Sequence, residues 1–409
     1  MKAMKPYYLI LLMMFLLCED THSQQSFTLD SSFGNNGTII FHQFMKNEDG
    51  KSLITQSDGK LLVLSNEKIS RFNKDGSPDI SFSDHQALPY MINLPGDTSY
   101  GRLNNMASDE NGNIFVSATA ENYRVTAEKS WVYKYKPDGT ADISFGSNGK
   151  VELSLDSFTT ISCFDVDKNG SLIIFSHSSL NMDFDSRSAS CIIKFDSKGD
   201  IESSFGDSGF YKLDSNVIFN KLKTLEDGTF IASGSLYIND YTESDAVLAK
   251  FKTDGVPDSS FGINGYRMDN FTGFDFWRTM TIQPDGKILC IINDKYSSLY
   301  RYNTDGSIDN NFGDKGKIET VINYDENSVY DYDFITSNVL IARDGKIITT
   351  GTTEQKFDAG TTDFYHKAAF ARYNSDGSSD KSFGEEGEGA ENTDEDIAED
   401  TTESSDGEY

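Results

Sequence analysis

Positive charge is scarce in this chain of 409 residues: 36 Lys and Arg stand against 65 Asp and Glu, leaving a net charge of −29. A phosphate backbone needs a basic face, and none is supplied, so nucleic acid is excluded as a natural partner. An anionic membrane surface is disfavoured for the same reason. Cysteine is sparse too. Beyond the first 23 residues only Cys163, Cys191 and Cys290 remain, an odd number without a C-x-x-C spacing. That excludes a disulfide framework and a thiolate zinc site, and small buried strand residues are expected instead. His42, His85, His177 and His366 are scattered, with no metal-ligand spacing. No cofactor and no metal are expected.

Catalytic signatures are missing as well. There is no Gly-x-Ser-x-Gly, no His-Glu-x-x-His and no phosphate-binding glycine loop. Trp131 and Trp277 are the only tryptophans, and neither follows a sialidase-type aspartate box. Acid pairs abound, as in any acidic chain, so none stands out as catalytic, and an enzyme is the less favoured reading. Long apolar runs are absent except for residues 7–17, which follow Lys2 and Lys5. That run is too short to span a bilayer as a helix and reads as a secretory leader, with cleavage expected before Gln24. Lipidation at Cys18 is the weaker rival, because Leu17 rather than a small residue precedes it. The expected protein is exported, at the cell surface, in the periplasm or secreted, with no transmembrane segment.

What the chain does have is repetition. Six variants of D-G-x-x-D-x-S-F-G-x-x-G occur, centred on Phe82, Phe145, Phe205, Phe261, Phe312 and Phe383. A half-length copy, Asp30-Ser31-Ser32-Phe33-Gly34 to Gly37, precedes them. From Phe33 onward the phenylalanines are 49, 63, 60, 56, 51 and 71 residues apart. Each unit holds four short runs rich in β-branched and aromatic residues, punctuated by Asn-Gly or Asp-Gly turns such as Asp58-Gly59, Asn111-Gly112 and Asp285-Gly286. No later stretch keeps a 3.6-residue apolar period.

Four antiparallel strands per unit, six times over, predict an all-β, six-bladed β-propeller. With strands A to D running from the axis outwards, the Asp-Gly turn is the A–B connection and the long motif is the C–D connection. The half-copy then reads as a lone D strand at residues 38–41. The sixth unit lacks an evident D strand, since residues 385–391 do not look like one. Ring closure by the N-terminal strand completing the last blade is expected. The expected domains are a signal peptide at 1–23, the propeller at 24–388 and an acidic disordered tail at 389–409. Between Glu385 and Tyr409 there are twelve acids and no base.

Gln283 to Leu289, then Tyr300-Arg301-Tyr302-Asn303-Thr304-Asp305-Gly306 with Asp309, Phe312, Gly313 and Gly316, resembles the delta-60 repeat family of exported bacterial propellers. The resemblance covers residues 30–388. It implies the fold and export, and no general activity. Blade 1 departs from it with Ser83-Asp84 after Phe82, and blade 3 with Lys198 in place of the turn aspartate.

Asn73, Asp75, Gly76 and Asp79 match four positions of a calcium loop, but a base fills the first ligand position in all six copies: Arg71, Lys134, Lys194, Lys250, Arg301 and Arg372. A cation there argues against a dication. The motif is better read as scaffold: the base pairs with the turn aspartates, and the phenylalanine wedges between blades.

Function is then expected where the units differ, in the B–C and D–A loops, which leave a blade on one face. These loops offer Tyr123, Tyr237, Tyr241, Phe276, Trp277, Tyr324, Tyr330 and Tyr365 as a candidate ligand face. Tyrosine among scattered carboxylates suits a protein or carbohydrate partner. The expectation is a monomeric binding scaffold. The alternatives are an extracellular lyase or hydrolase acting in the propeller mouth, and a structural or adhesive surface component.

Overall fold

The computed structural model describes residues 32, 50–56, 58–65, 68–82, 88–89, 100–121, 129–153, 158–178, 190–213, 216–238, 243–271, 275–292, 297–320, 334–356, 364–383 and 388–390. They form six four-stranded antiparallel sheets, each a meander in chain order. Blade 1 is β1 (Gly50–Thr55), β2 (Leu61–Ser65), β3 (Lys68–Phe72) and β4 (Leu88–Pro89). Blade 2 is β5 (Tyr100–Ser108), β6 (Ile114–Glu121), β7 (Lys129–Tyr135) and β8 (Lys150–Leu153). Blade 3 is β9 (Phe158–Val166), β10 (Leu172–Ser178), β11 (Ser190–Phe195) and β12 (Phe210–Leu213). Blade 4 is β13 (Val217–Thr224), β14 (Phe230–Ile238), β15 (Glu243–Phe251) and β16 (Tyr266–Asp269). Blade 5 is β17 (Trp277–Ile282), β18 (Ile288–Ile292), β19 (Leu299–Tyr302) and β20 (Lys317–Ile318). Blade 6 is β21 (Phe334–Ile341), β22 (Ile347–Lys356), β23 (Phe364–Tyr373) and β24 (Glu388–Ala390). The six-bladed propeller read from the repeat is what the chain forms.

Place in the blade explains each strand's composition. The second strands β2 and β18 lie between neighbours on both faces and are buried throughout, so Leu-Leu-Val-Leu-Ser and Ile-Leu-Cys-Ile-Ile need no polar alternation. The outer strands are short and half-exposed, as in β12 and β16. Pro89 sits in the outermost strand of blade 1, where a missing N–H costs no ladder bond. Gly59 and Gly286 make their A–B turns at φ of 81° and 83°, a region that favours glycine.

The apolar core is divided among the junctions between blades. Five clusters bridge blades 1 and 2, 2 and 3, 3 and 4, 4 and 5, and 5 and 6. One position on each inner strand faces the preceding blade. Met106, Phe164, Leu222, Met280 and Val339 fill it at 2 to 6% exposure, while Leu53, at the same place after the bulge of β1, is 38% exposed. Leu340 of blade 6 is 48% exposed. Among the described residues the junction of blades 6 and 1 carries no such cluster.

The last blade corrects one expectation. Residues 388–390 do form a strand: β24 pairs with Ala369, Phe370 and Ala371 of β23, taking the outer edge left to the N-terminal half-copy. A strand with one neighbour needs only backbone hydrogen bonds, so an acidic Glu-Gly-Ala segment suffices. Residues 38–41, the expected closing strand, lie outside the described residues. Cys163, Cys191 and Cys290 are buried in strands, as their spacing implied.

Candidate binding face and the clasps opposite it

The repeated motif builds a clasp on the face of the A–B and C–D connections. Its first aspartate shapes a turn: Asp75 Oδ1 accepts the Ser77 N–H at 2.9 Å and the Ser77 Oγ–H at 2.6 Å. Asp305 with Ser307 and Asp376 with Ser378 repeat this. Its second aspartate takes the base that heads the motif. Arg71 meets Asp79 at 2.7 Å, Arg301 meets Asp309 at 2.8 Å and Arg372 meets Asp380 at 2.7 Å. A lysine from the A–B turn joins each: Lys60, Lys287 and Lys346. In blades 2, 3 and 4 the base is lysine and the distance longer, 3.5, 3.3 and 3.6 Å.

These carboxyl groups are held ionised. Burial pushes Asp380 up, but the Ser382 hydroxyl, the Lys346 ammonium, the Ser382 N–H and the nearby Arg372 outweigh it and bring it down to about 2. Asp309 is lowered against its burial by Lys287, Asn311 and Arg301. The carboxylate oxygens are therefore spent on protein donors.

The clasps of blades 1 to 5 grip the next blade. The guanidinium stacks on its own motif phenylalanine, with Arg71 4.4 Å from the Phe82 centroid and Arg301 4.3 Å from that of Phe312. Arg71 Nη1 donates to the Pro137 carbonyl and Arg301 Nη1 to that of Ser375, both on the following blade. The glycine after the phenylalanine donates across the junction, Gly262 N–H to Asp305 O at 2.7 Å and Gly313 N–H to Asp376 O at 2.9 Å. This face is committed to joining blades.

The opposite face carries the B–C and D–A loops. Tyr237 lies one residue before the end of β14, half-buried, its N–H bonded to Asn216 O at 3.0 Å. Phe276 precedes β17 and is 38% exposed. Its neighbour Asp275 is buried: its Oδ2 accepts the Phe271 N–H at 2.6 Å and its carbonyl the Ser244 hydroxyl at 2.9 Å, stapling the loop to blade 4. Trp277 must be removed from the ligand face. It is fully buried, packed edge-on against Tyr300 and Tyr302 with centroids 5.7 and 5.8 Å away, because the first position of β17 points into the junction with blade 4. Tyr365 lies in β23, paired with Gln355. Tyr123, Tyr241, Tyr324 and Tyr330 lie outside the described residues. Titration is also disturbed inside the core: burial pushes Tyr302 up, and its hydroxyl donates to Asp269 at 2.8 Å.

A second feature is not legible in the sequence. Every inner strand breaks register near its start, β9 twice, bulging Lys51, Asn104, Ser162, Asn220, Arg278 or Ser337 out of the ladder. Asn104 Nδ2 donates to Thr119 Oγ1 at 2.8 Å, Ser162 Oγ meets His177 Nδ1 at 2.7 Å and Asn220 Nδ2 donates to Trp277 O at 2.6 Å. Lys51, Arg278 and Ser337, on blades 1, 5 and 6, are exposed.

The family described as "Domain of unknown function (DUF5122) beta-propeller" matches residues 56–82, 283–312 and 342–383. Blades 1, 5 and 6 thus carry a known propeller repeat. They are the three blades whose clasps combine arginine with an A–B lysine. Among solved structures, the chain is similar to a protein of unknown function from Bacteroides caccae, at 13% identity over 78% of this chain and 90% of that one, with a TM-score of 0.41. It is also similar to the β-propeller domain of the Trilobed protease from Pyrococcus furiosus, which has an open velcro topology, at 9% identity over 81% and 91% with a TM-score of 0.36. A third is the extracellular domain of a putative one-component system from B. thetaiotaomicron, at 11% identity over 80% of this chain and 38% of that one, with a TM-score of 0.36. No curated protein matches the sequence.

Proposed function

We propose that this chain is an exported binding scaffold that engages a protein or carbohydrate through its B–C and D–A loop face. The observation that carries this reading is the division of labour between the two faces. Clasps consume the A–B and C–D side, and their residues recur blade after blade. The variable loops, with exposed Phe276 and half-buried Tyr237, share the other side. The repeat is assigned to the delta-60 type, and the leader at residues 1–23 to export. No helix among the described residues is long and apolar enough to cross a membrane. The test is a glycan array and a pull-down with residues 24–409, repeated with Tyr237→Ala and Phe276→Ala. Capture that either substitution weakens supports the scaffold; silence in both assays favours a purely structural component, and turnover of a captured polysaccharide favours a lyase or hydrolase.

A further inference from the structure

One turn on the clasp side departs from the bond set that the others repeat. In blades 1, 2, 5 and 6 the turn aspartate accepts both the N–H and the hydroxyl of the Ser or Thr two residues on: Asp75 from Ser77, Asp138 from Thr140, Asp305 from Ser307 and Asp376 from Ser378. In blade 4 Val256 stands where the hydroxyl belongs, so Asp254 Oδ1 keeps only the Val256 N–H, at 3.0 Å. Among the described residues no other donor reaches this carboxylate. Val256 itself is 39% exposed.

The packing beside this turn differs too. At the junctions of blades 2 and 3 and of blades 5 and 6, the second residue of the outer strand is aliphatic and reaches the next blade's turn glycine. Val151 lies 3.0 Å from a Cβ built on Gly199, and Ile318 3.0 Å from one built on Gly377. The corresponding residue of blade 3 is Tyr211. It packs against the cluster between blades 3 and 4, and the three atoms nearest a Cβ on Gly255 all belong to Phe205. A groove of about 510 Å³ opens there, lined by Asp207, Tyr211 and Lys212 of blade 3 and by Asp254 and Val256 of blade 4. Its two walls are joined where the Gly206 N–H donates to Asp254 O at 3.0 Å. That volume is ordinary for a small-ligand site.

The lining selects a chemistry. Asp254 has acceptor capacity left for an O–H donor. Tyr211 and Val256 bring apolar surface beside it, and Asp207 and Lys212 bring an acceptor and a donor. A sugar ring presents both features, hydroxyls at its edge and C–H groups on its face, and an O–H donated to a carboxylate makes a strong hydrogen bond. Two groove carboxylates in a chain of net charge −29 disfavour an anionic sugar. We propose that the groove between blades 3 and 4 is a binding site separate from the loop face, and that it takes a neutral sugar unit whose hydroxyl replaces the one missing from the Asp254 turn.

The test is calorimetric titration of residues 24–409 with cellotriose, mannotriose and a galacturonate trimer, on the unaltered protein, Val256→Thr and Val256→Ala, with thermal melts of each. Val256→Thr is close to isosteric and supplies the hydroxyl that Thr140 gives Asp138 in blade 2; Val256→Ala leaves Asp254 short of a donor. At least one neutral trisaccharide should bind and the galacturonate trimer should not. Val256→Thr should weaken binding roughly tenfold without lowering the melting temperature, because its hydroxyl competes for Asp254. Val256→Ala should weaken it by about threefold or less. No binding of either neutral trisaccharide, equal binding of the acidic one, or equal affinity of the two variants overturns the groove. Binding that falls with Tyr237→Ala or Phe276→Ala but not with Val256→Thr also overturns it and leaves the loop-face reading standing. Binding that falls with Val256→Thr and not with the loop variants supports the groove.

Discussion

The Phe82 ring of blade 1 lies directly over Gly139 of blade 2: a Cβ added to Gly139 would sit 2.6 Å from the ring. The contact joins the two ends of the repeated motif across a junction. The same relation holds between Phe261 and Gly306, and between Phe312 and Gly377. At these junctions the motif recurs because one blade supplies the ring and the next supplies the glycine beneath it.

Gly139→Ala should therefore destabilise more than an alanine at an equivalent but open turn. Gly139 has φ of 87° and a buried ring against it, so strain and overpacking together should cost about 2–4 kcal/mol. Gly345 has φ of 82° with nothing within 4 Å, and its alanine should cost about 1 kcal/mol. Urea denaturation of the two variants decides it; equal losses would show that the ring contact is not tight.

The arginine clasps should matter more than the lysine ones. Asp309→Asn leaves the Arg301 guanidinium buried at 5% exposure without its counter-charge, a loss of about 3–5 kcal/mol. Asp258→Asn removes a longer and more exposed contact with Lys250, 3.6 Å, and should cost about 1 kcal/mol or less. Melting temperatures of the two variants should rank in that order.

Acid should loosen the clasps in a defined window. Asp380 is lowered in the folded chain to about 2, below its unfolded value of about 4. Its contribution is present in full above pH about 4 and is lost as pH falls towards 2, because only the unfolded chain takes up the proton in that interval. Asp380→Asn should flatten the fall in stability between pH 4 and 2, measured by denaturation at each pH. An unchanged slope would remove Asp380 from the acid response.

The junction of blades 6 and 1 should tolerate change that the others do not. Leu222→Ala opens a cavity in a packed layer and should cost about 2–5 kcal/mol. Leu53→Ala, at the equivalent position but 38% exposed, should cost about 1 kcal/mol or less. A loss at Leu53 as large as that at Leu222 would mean that the seam is packed in solution.

The period of the motif determined the blade number, the four-strand meander and the register of each blade by itself, because period and turn chemistry are local properties. The scaffold role of the bases was legible for the same reason: Arg301 and Asp309 are eight residues apart, and a C–D connection brings such neighbours together. Tertiary structure decided the rest. Whether Trp277 faces a ligand or a neighbouring blade depends on which side of β17 it occupies once blade 4 is in place. The strand at Glu388–Ala390 exists because β23 offers it an unpaired edge, which its own composition does not announce. The bulges at Lys51, Ser337 and Arg278 are irregularities of pairing between strands, and no single strand's sequence records them. A repeat specifies the contacts that the blades share, and only the packing of unlike blades shows which side chains are buried between them and which are left exposed.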